Sequence, residues 1–293
     1  CTDDSWKFRE HSRFIAPYFD LMVTTYEEFL PAYAYIGSSA FLSGWGCPVQ
    51  WLSEPKQAAL CKYSVTFVGS AHGNRKELVA KLKELGVNVE CFGYGWKNGA
   101  VDAEDIPNIF RSSIISLNFA NSKGENQIKA RTFEVPGSGG FLVSDDAKSL
   151  SSVFRDKQEI IIVKNIEETA EVVKYYLENC KLRDEIANNG FLKVKNKYSY
   201  ANRVDDILGY ALSIERKKSN MDIPDFVVLK GAHRMNVCLR LFRAVLIGVG
   251  KIVFGKTRGV RFARRASFEL EWRIRGAKTY THLGWTSRMF YGI

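Results

Sequence analysis

The sequence lacks the patterns that would place it among zinc proteins, disulfide-rich proteins or secreted proteins. Its six cysteines are far apart, with no CxxC pair, and its four histidines are not clustered. This spacing argues against a structural zinc site and a dense disulfide framework, and it favours a reducing compartment. The first residues include Asp3 and Asp4, whereas a secretory signal would begin with basic residues. We therefore expect a cytoplasmic protein.

The chain also lacks an apolar run long enough to span a membrane. Residues 240–254 are rich in aliphatic side chains, but Arg243 and Lys251 interrupt them, and the run falls short of the ~20 apolar residues that a spanning helix needs. Basic flanks around an apolar body are typical of a helix that lies in the membrane interface. The alternative is a helix packed against a further domain or a partner subunit.

Positive charge is abundant but confined to the end of the chain. Residues 216–293 hold 17 Lys and Arg against 4 Asp and Glu, whereas residues 1–215 hold 25 against 28. A basic tail favours an anionic partner such as a membrane surface, a lipid-linked phosphate or nucleic acid. Nucleic acid is the weaker prediction, because the basic residues alternate with aliphatics and form no recognised binding module.

Strand and helix patterns alternate between residues 63 and 216. A buried strand at 64–70, a helix closed by Gly86 and a strand at 87–92 form one βαβ unit. Further strands are predicted at 114–118, 141–143 and 159–163, with amphipathic helices after them. This pattern predicts an α/β fold with a doubly wound parallel sheet, whose first strand–helix loop is a site for anionic ligands.

The rest of the chain divides around this predicted domain. Residues 1–46, with a strand at 21–24 and a helix at 27–35, are too few for a free-standing domain of this class and are expected to be the end of a domain whose beginning is absent. Residues 47–62 are expected to be a linker, and residues 217–293 a helical, basic, aromatic extension.

The most informative stretch is residues 127–146. A short helix carrying Arg131 and Glu134 is predicted to end near Pro136, before the turn that contains Ser138 and Gly139. Arginine offers a planar cationic fork for phosphate, glutamate accepts hydrogen bonds from hydroxyls, and the turn amides are suited to capping a phosphate oxygen. The alternatives are an i,i+3 ion pair on a solvated face and a plain turn.

Four segments, in this order, resemble the nucleotide-binding C-terminal domain of group-1 glycosyltransferases with the GT-B fold. They are residues 67–75 (FVGSAHGNR), 114–118 (IISLN), 131–143 (RTFEVPGSGGFLV) and 185–203. The likeness is greatest to the CgeB-like (spore maturation) branch, and residues 1–45 resemble the end of the same family's N-terminal domain. The resemblance implies a Rossmann-like domain at 63–216 that binds a nucleotide-sugar.

The resemblance also implies roles for particular residues. Glu134 would accept hydrogen bonds from the ribose hydroxyls, and Arg75 would neutralise the diphosphate unless it is a solvated residue of the first helical turn. Arg131 would bind phosphate or orient Glu134. Other donor contacts are expected from loop residues near the strand and helix ends, namely Gly69, Ser70, Asn118, Ser138 and Gly139.

One position departs from the family pattern. Asn126 stands where relatives carry a second glutamate, with Glu125 one residue earlier, so the contact to the transferred sugar and the stereochemistry are left open. The catalytic group of such enzymes comes from the N-terminal domain. The candidates here are Asp4 and His72, with a helix N-cap and an ordinary loop histidine as the alternatives. No DxD pair occurs in a matching loop, so no metal is expected.

Together these features predict a hexosyltransferase-like enzyme. It would move a sugar from a UDP-, GDP- or dTDP-linked donor, with no other cofactor, to a glycan, lipid-linked or surface-polysaccharide acceptor. The basic tail would hold it at the inner face of the cell membrane, and an oligomer is compatible with the sequence. The alternative is a non-catalytic GT-B-like binding or structural protein of spore or cell-surface assembly.

Overall fold

The computed structural model describes residues 8, 12–119, 128–214, 237–275, 285–286 and 289–290. The chain divides into two compact units, one formed by Ser43–Tyr210 and the other by Cys1–Leu42 together with Ala211–Ile293. Residues 47–62, expected to be a linker, thus belong to the same unit as the main sheet. The functional division of the chain stays a prediction.

The unit formed by Cys1–Leu42 and Ala211–Ile293 opens with a small βαβ unit. Its elements are α1 (Arg13–Ile15), a 3-10 helix (Ala16–Tyr18), β1 (Met22–Thr24), a second 3-10 helix (Glu27–Phe29), α2 (Leu30–Tyr35) and β2 (Ala40–Leu42). The strand β1 pairs in parallel with β2, with Met22 opposite Ala40. Phe8, Met22 and Tyr33 are buried between them. The predicted strand and helix are both present, and β2 is an additional strand.

The unit formed by Ser43–Tyr210 carries a five-stranded sheet. Two 3-10 helices (Val49–Trp51, Ala58–Leu60) precede β3 (Tyr63–Val68), α3 (Arg75–Glu84), β4 (Glu90–Phe92), α4 (Ile106–Arg111), β5 (Ser113–Asn118), α5 (Arg131–Gly137), β6 (Leu142–Asp145), α6 (Leu150–Val153), β7 (Ile161–Val163), α7 (Ile166–Glu178), α8 (Cys180–Lys197) and α9 (Tyr200–Ser213). The strands lie in the order β4-β3-β5-β6-β7 and all pair in parallel. The predicted α/β doubly wound parallel sheet is confirmed.

Both faces of this sheet are covered. One apolar cluster contains Phe67, Leu117 and Val143, and the other contains Val68 and Leu142. Neighbouring residues of β3, and of β6, thus enter different clusters because successive side chains of a strand point to opposite faces. This explains why these strands read as nearly continuous apolar runs in the sequence.

A fully buried arginine fastens the segment before β3 to the sheet. Arg183 on α8 donates hydrogen bonds to the carbonyls of Lys56 (2.9 Å), Ser113 (2.9 Å) and Ile114 (2.7 Å), and it pairs with Asp184 (3.0 Å). Burying a charge is costly unless it is hydrogen-bonded in this way. The contacts fix residues around 56 at the amino end of β5.

In the described part of the basic tail lie the helices α10 (Val237–Phe254) and α11 (Lys256–Arg275). A helix over most of α10 was predicted from the sequence, whereas α11 was not. The helices meet closely where Gly250 and Gly259 cross, because a Cβ atom on either glycine would overlap the backbone of the other. None of the helices in the described part of the chain has both the length and the apolar character needed to cross a membrane.

Candidate functional site

The carboxyl ends of β3 and β5 bring three predicted residues to one edge of the sheet. Gly69 and Ser70 follow β3, and Asn118 ends β5, where its side-chain amide donates to the Ser144 hydroxyl of β6 at 2.9 Å. The Gly69 N–H donates to the Phe92 carbonyl at 2.8 Å, and the Gly69 carbonyl accepts from the Trp96 indole at 2.8 Å. These bonds hold the loop after β3 in one conformation.

Arg75, the first residue of α3, joins the loops that follow β3 and β5. Its guanidinium donates to the Ser70 carbonyl at 3.1 Å and to the Phe119 carbonyl at 2.9 Å, and it lies 5.1 Å from the centre of the Phe67 ring. It is half-buried, so it is not the solvated first-turn residue of the alternative interpretation. A fixed positive charge therefore lies at the edge where parallel α/β sheets bind anions.

Arg131 and Glu134 lie in the first turns of α5, next to the same edge. The Arg131 Nε donates to the Val68 carbonyl at 3.2 Å, its guanidinium lies 5.3 Å from the centre of the Phe110 ring, and its Nη1 forms an ion pair with Glu134. Only 12% of the Glu134 side chain is exposed. The pair is therefore largely buried, unlike the solvated pair that the sequence left as an alternative, and Arg131 orients the Glu134 carboxylate.

Two residues that sequence reasoning missed lie within the electrostatic reach of Glu134. Burial raises the pKa of the Cys47 thiol to about 12, and the negative charge of Glu134 adds to the shift. Burial also raises the pKa of the Tyr200 phenol, and the negative charge of Glu134 adds to the shift, although a hydrogen bond with the Gly46 backbone opposes it. Cys47 and Tyr200 are far from Glu134 in sequence, and no local pattern marks them, so only the folded chain reveals them.

A bridge between distant segments places these residues beside α5. The Cys47 N–H donates to the Tyr198 carbonyl, and the Tyr200 N–H donates to the Cys47 carbonyl, each at 2.9 Å. The Arg203 guanidinium donates twice to the Trp45 carbonyl at 3.2 Å, and it lies 4.8 Å from the Tyr198 ring centre and 5.5 Å from that of Phe133. Burial lowers the Arg203 pKa. Because Phe133 directly precedes Glu134 in α5, this cluster packs against the helix that carries Glu134.

Ser138 and Gly139 do not join the other predicted donor residues. Their N–H groups donate to the carbonyls of Glu134 (3.0 Å) and Pro136 (2.9 Å), as in an ordinary helix end. The helix α5 leads from the carboxyl edge into β6, so its end lies at the amino edge of the sheet. Over the six residues of β5, the two edges are separated by roughly 16 Å. The structure thus forms the plain turn, and a donor contact at Ser138 or Gly139 stays a prediction that this geometry does not support.

The glycines of this turn serve close packing. Gly139 has φ +78°, and a Cβ atom there would lie 2.7 Å from the Ser53 carbonyl oxygen. A Cβ atom on Gly140 would lie 3.1 Å from the carbonyl oxygen of Phe110, in the helix that precedes β5. The glycine cluster therefore lets the chain before β3 lie directly on the end of α5.

Of the two candidate catalytic residues, His72 lies within the described residues and Asp4 does not. His72 is buried in the loop between β3 and α3, and its backbone N–H donates to the Ser70 carbonyl at 2.8 Å, so it lies at the same edge as Arg75. Asp4, Glu125 and Asn126 lie outside the described residues. Asp145 ends β6 and Asp146 accepts a hydrogen bond from the Ala147 N–H in the turn that follows the strand.

A family model described as "Glycosyl transferase-like" matches residues 75–209. This segment is similar to a glycosyl transferase-like domain. It includes Arg75, Asn118, Arg131 and Glu134 and begins just after the loop that follows β3. The CgeB-like branch stays a prediction, and no curated protein sequence matches the chain.

Solved glycosyltransferase structures share the fold of the domain. Anabaena HepE in complex with UDP-glucose is 11% identical with a TM-score of 0.54, over 70% of this chain and 67% of HepE. Sucrose-phosphate synthase from Thermosynechococcus elongatus is 11% identical with a TM-score of 0.54, over 69% and 60%. The pneumococcal O-GlcNAc transferase GtfA, in complex with UDP and GlcNAc, is 12% identical with a TM-score of 0.52, over 70% and 47%.

These structural similarities show the fold of this chain. The parallel sheets and helices match GT-B glycosyltransferase structures. The chain spans 60% of the length of the sucrose-phosphate synthase and 47% of that of GtfA. The identities of 11% and 12% are too low to carry a substrate or a residue's role from one protein to another.

Proposed function

We propose that the domain at residues 63–216 binds a nucleotide-sugar at the carboxyl edge of its sheet and that the chain transfers the sugar to an acceptor. The observation that carries this proposal is the convergence of two arginines and a buried glutamate on that edge. Arg75 contacts the Ser70 carbonyl, Arg131 contacts the Val68 carbonyl, and Arg131 holds Glu134. The match to a glycosyl transferase-like family supports the same conclusion.

The geometry of Glu134 suits a ribose contact. A carboxylate has about four lone-pair sites, so a single ion pair with Arg131 leaves it able to accept hydrogen bonds from both hydroxyls of a vicinal diol. Burial strengthens such bonds, since water competes less for the oxygens. Arg75, at the other side of the loop after β3, would bind the negatively charged diphosphate. UDP is the first nucleotide to test, because HepE and GtfA were solved with UDP compounds, and GDP and dTDP are the alternatives.

The acceptor and the place of reaction follow from the tail. Its excess of basic residues favours the inner face of the cell membrane, where a lipid-linked or surface-polysaccharide acceptor would be met. A hexose is the sugar proposed for transfer. The fixed Arg75 guanidinium provides positive charge near the donor, which supports transfer without a metal. His72 at the carboxyl edge and Asp4 remain the proposed candidates for the catalytic group.

A second candidate function is nucleotide-sugar binding without transfer, as in a GT-B-like structural or assembly protein. The observation in its favour is Asn126, which is neutral where the family pattern has a second carboxylate. An amide forms hydrogen bonds with sugar hydroxyls but carries no charge to stabilise positive charge at the anomeric carbon. Release of free nucleotide from a UDP-sugar in the presence of membrane or glycan acceptors would favour the enzyme, and binding without release would favour the alternative.

Calorimetric titration with UDP, GDP and dTDP tests the donor site. We expect Glu134→Gln and Glu134→Ala to weaken binding by about 10-fold to 100-fold, since hydrogen bonds to a charged group contribute about 1.5–3 kcal/mol. The matched control is Glu171→Gln, at an exposed position of α7, which should bind like the unmodified chain. The proposal fails if none of the three nucleotides binds, or if both Glu134 variants bind as tightly as the control.

A further inference from the structure

One face of α10 carries a continuous row of exposed aliphatic side chains, here named the α10 stripe. It consists of Val237, Leu241, Val245, Val249, Ile252 and Val253, which are between 52% and 87% exposed. At about 100° of rotation per residue these positions fall within an arc of about 160°, over a length of about 24 Å. Large exposed apolar patches on a protein surface usually mark a binding surface.

The α10 stripe is not the surface that α10 uses against α11. The two helices meet through Gly250 and Gly259, and the rings of Phe254 and Phe262 pack with their centres 4.7 Å apart. Leu246, on the side of α10 that includes Gly250, is partly buried, as is Phe242 near the edge of the stripe. The two helices α10 and α11, here called the hairpin, thus pack against each other and still leave the α10 stripe exposed.

The charge of the hairpin selects the kind of partner. Residues 237–275 contain ten Lys and Arg but only two Glu. Both glutamates have partners within the tail, because Glu269 pairs with Arg265 at 3.0 Å, and the fully buried Glu271 accepts from the Trp285 and Thr286 N–H groups. The exposed surface of the hairpin is therefore strongly positive.

The basic residues of α10 lie beside the stripe, not within it. By the same rotation, Arg240 and Lys251 fall on the arc next to Val237, and both are exposed. Arg243 lies further round and stacks on Phe290, with 5.8 Å between the guanidinium carbon and the ring centre. The exposed basic residues of α11 add to the same charge, namely Lys256, Arg258, Arg261, Arg264, Arg265 and Arg273.

We propose that the α10 stripe inserts into the interfacial region of an anionic lipid bilayer, with Arg240 and Lys251 among the headgroups. An apolar stripe bordered by basic residues is the pattern of helices that lie in a membrane surface, and anionic lipid attracts each nearby cation. A neutral protein groove would accept the stripe but not the surrounding positive charge. The inference gives a defined surface to the membrane contact proposed above, and it does not depend on nucleotide binding.

Vesicle sedimentation of the full chain tests this surface. We compare phosphatidylcholine vesicles with vesicles that also contain phosphatidylglycerol, at low and at high salt. We expect binding to the anionic vesicles to be at least tenfold tighter than to the neutral ones and to weaken as salt rises. The double variant Leu241→Ser/Val245→Ser should bind the anionic vesicles at least tenfold more weakly. The control is Leu208→Ser on α9, where the leucine is 53% exposed, and it should bind unchanged.

Three results would overturn the proposal: no sedimentation with anionic vesicles, equal binding to both lipids, or equal binding by the double variant and the control. A lipid-free dimer that the double variant dissociates in velocity sedimentation would assign the stripe to a subunit interface and would also overturn it. UDP titration of the same variants keeps the two proposals separate, because loss of vesicle binding with normal nucleotide binding concerns the stripe alone.

Discussion

Replacing Gly139 by alanine separates the two roles that have been considered for the turn after α5. If the turn binds phosphate, the variant should lose nucleotide affinity and lose only the stability that its left-handed backbone costs. If the turn packs against the chain before β3, the variant should lose stability and keep its affinity. The structure predicts the second outcome, because the Gly139 N–H already donates to the Pro136 carbonyl at 2.9 Å.

The size of the stability loss follows from two separate costs. Gly139 has φ +78°, and a left-handed backbone costs about 1–2 kcal/mol for a residue with a Cβ atom. The new Cβ would also lie 2.7 Å from the Ser53 oxygen and 2.9 Å from the Glu54 carbonyl atoms, where ordinary contacts begin at 3.4 Å. Overpacking of this kind costs about 1–3 kcal/mol.

The overlap is difficult to relieve because the opposing backbone is itself held in place. The Ser53 N–H donates to the Gly137 carbonyl at 3.1 Å, and the Glu54 carbonyl accepts from the Arg111 side chain at 2.9 Å. The two costs together predict that Gly139→Ala lowers the free energy of unfolding by roughly 2–5 kcal/mol.

Gly99→Ala is the matched control, because Gly99 has φ +71° and its Cβ would meet no atom within 4 Å. It shares the backbone cost and lacks the overlap, so Gly139→Ala should be the less stable variant by about 1–3 kcal/mol. Urea unfolding followed by tryptophan fluorescence measures both free energies. Equal stabilities within about 0.5 kcal/mol, or weakened nucleotide binding by a stable Gly139→Ala variant, would refute the packing argument.

Two further predictions concern titrating groups. Burial raises the pKa of the Cys47 and Cys91 thiols to about 12. Iodoacetamide at pH 8 should therefore label the exposed Cys238 and leave Cys47 and Cys91 unlabelled until urea unfolds the chain. Peptide mass spectrometry measures the labelling, and early labelling of Cys47 would contradict the prediction. Burial alone would raise the pKa of Glu159, but hydrogen bonds from Arg155 lower it overall. The Glu159 carboxylate therefore stabilises the fold at pH values above the pKa of Glu159 in the unfolded chain, and this stabilisation is lost as pH falls. The stability difference between the unmodified chain and Glu159→Gln should shrink below about pH 4. A difference that stays constant with pH would contradict the assignment.

The sequence predicted the parts of the domain whose signal is local. The strands β3, β5 and β6 follow directly from apolar runs bounded by glycine, proline and charge. Position along the chain was enough to bring Gly69, Ser70 and Asn118 to one edge, because in a parallel α/β sheet all strands end on the same side.

The tertiary structure decided what each polar group contacts. A glycine-rich turn looks the same in sequence whether it holds a phosphate or packs against backbone, and only the path of residues 47–62 shows that Gly139 meets Ser53. Arg131 and Glu134 were considered as a pair, but only the folded chain shows that the pair is largely buried. The surroundings of Glu134 include Cys47 and Tyr200, which come from segments far apart in sequence. Contacts between distant segments produce no periodic pattern in the sequence, so they could not be predicted from it.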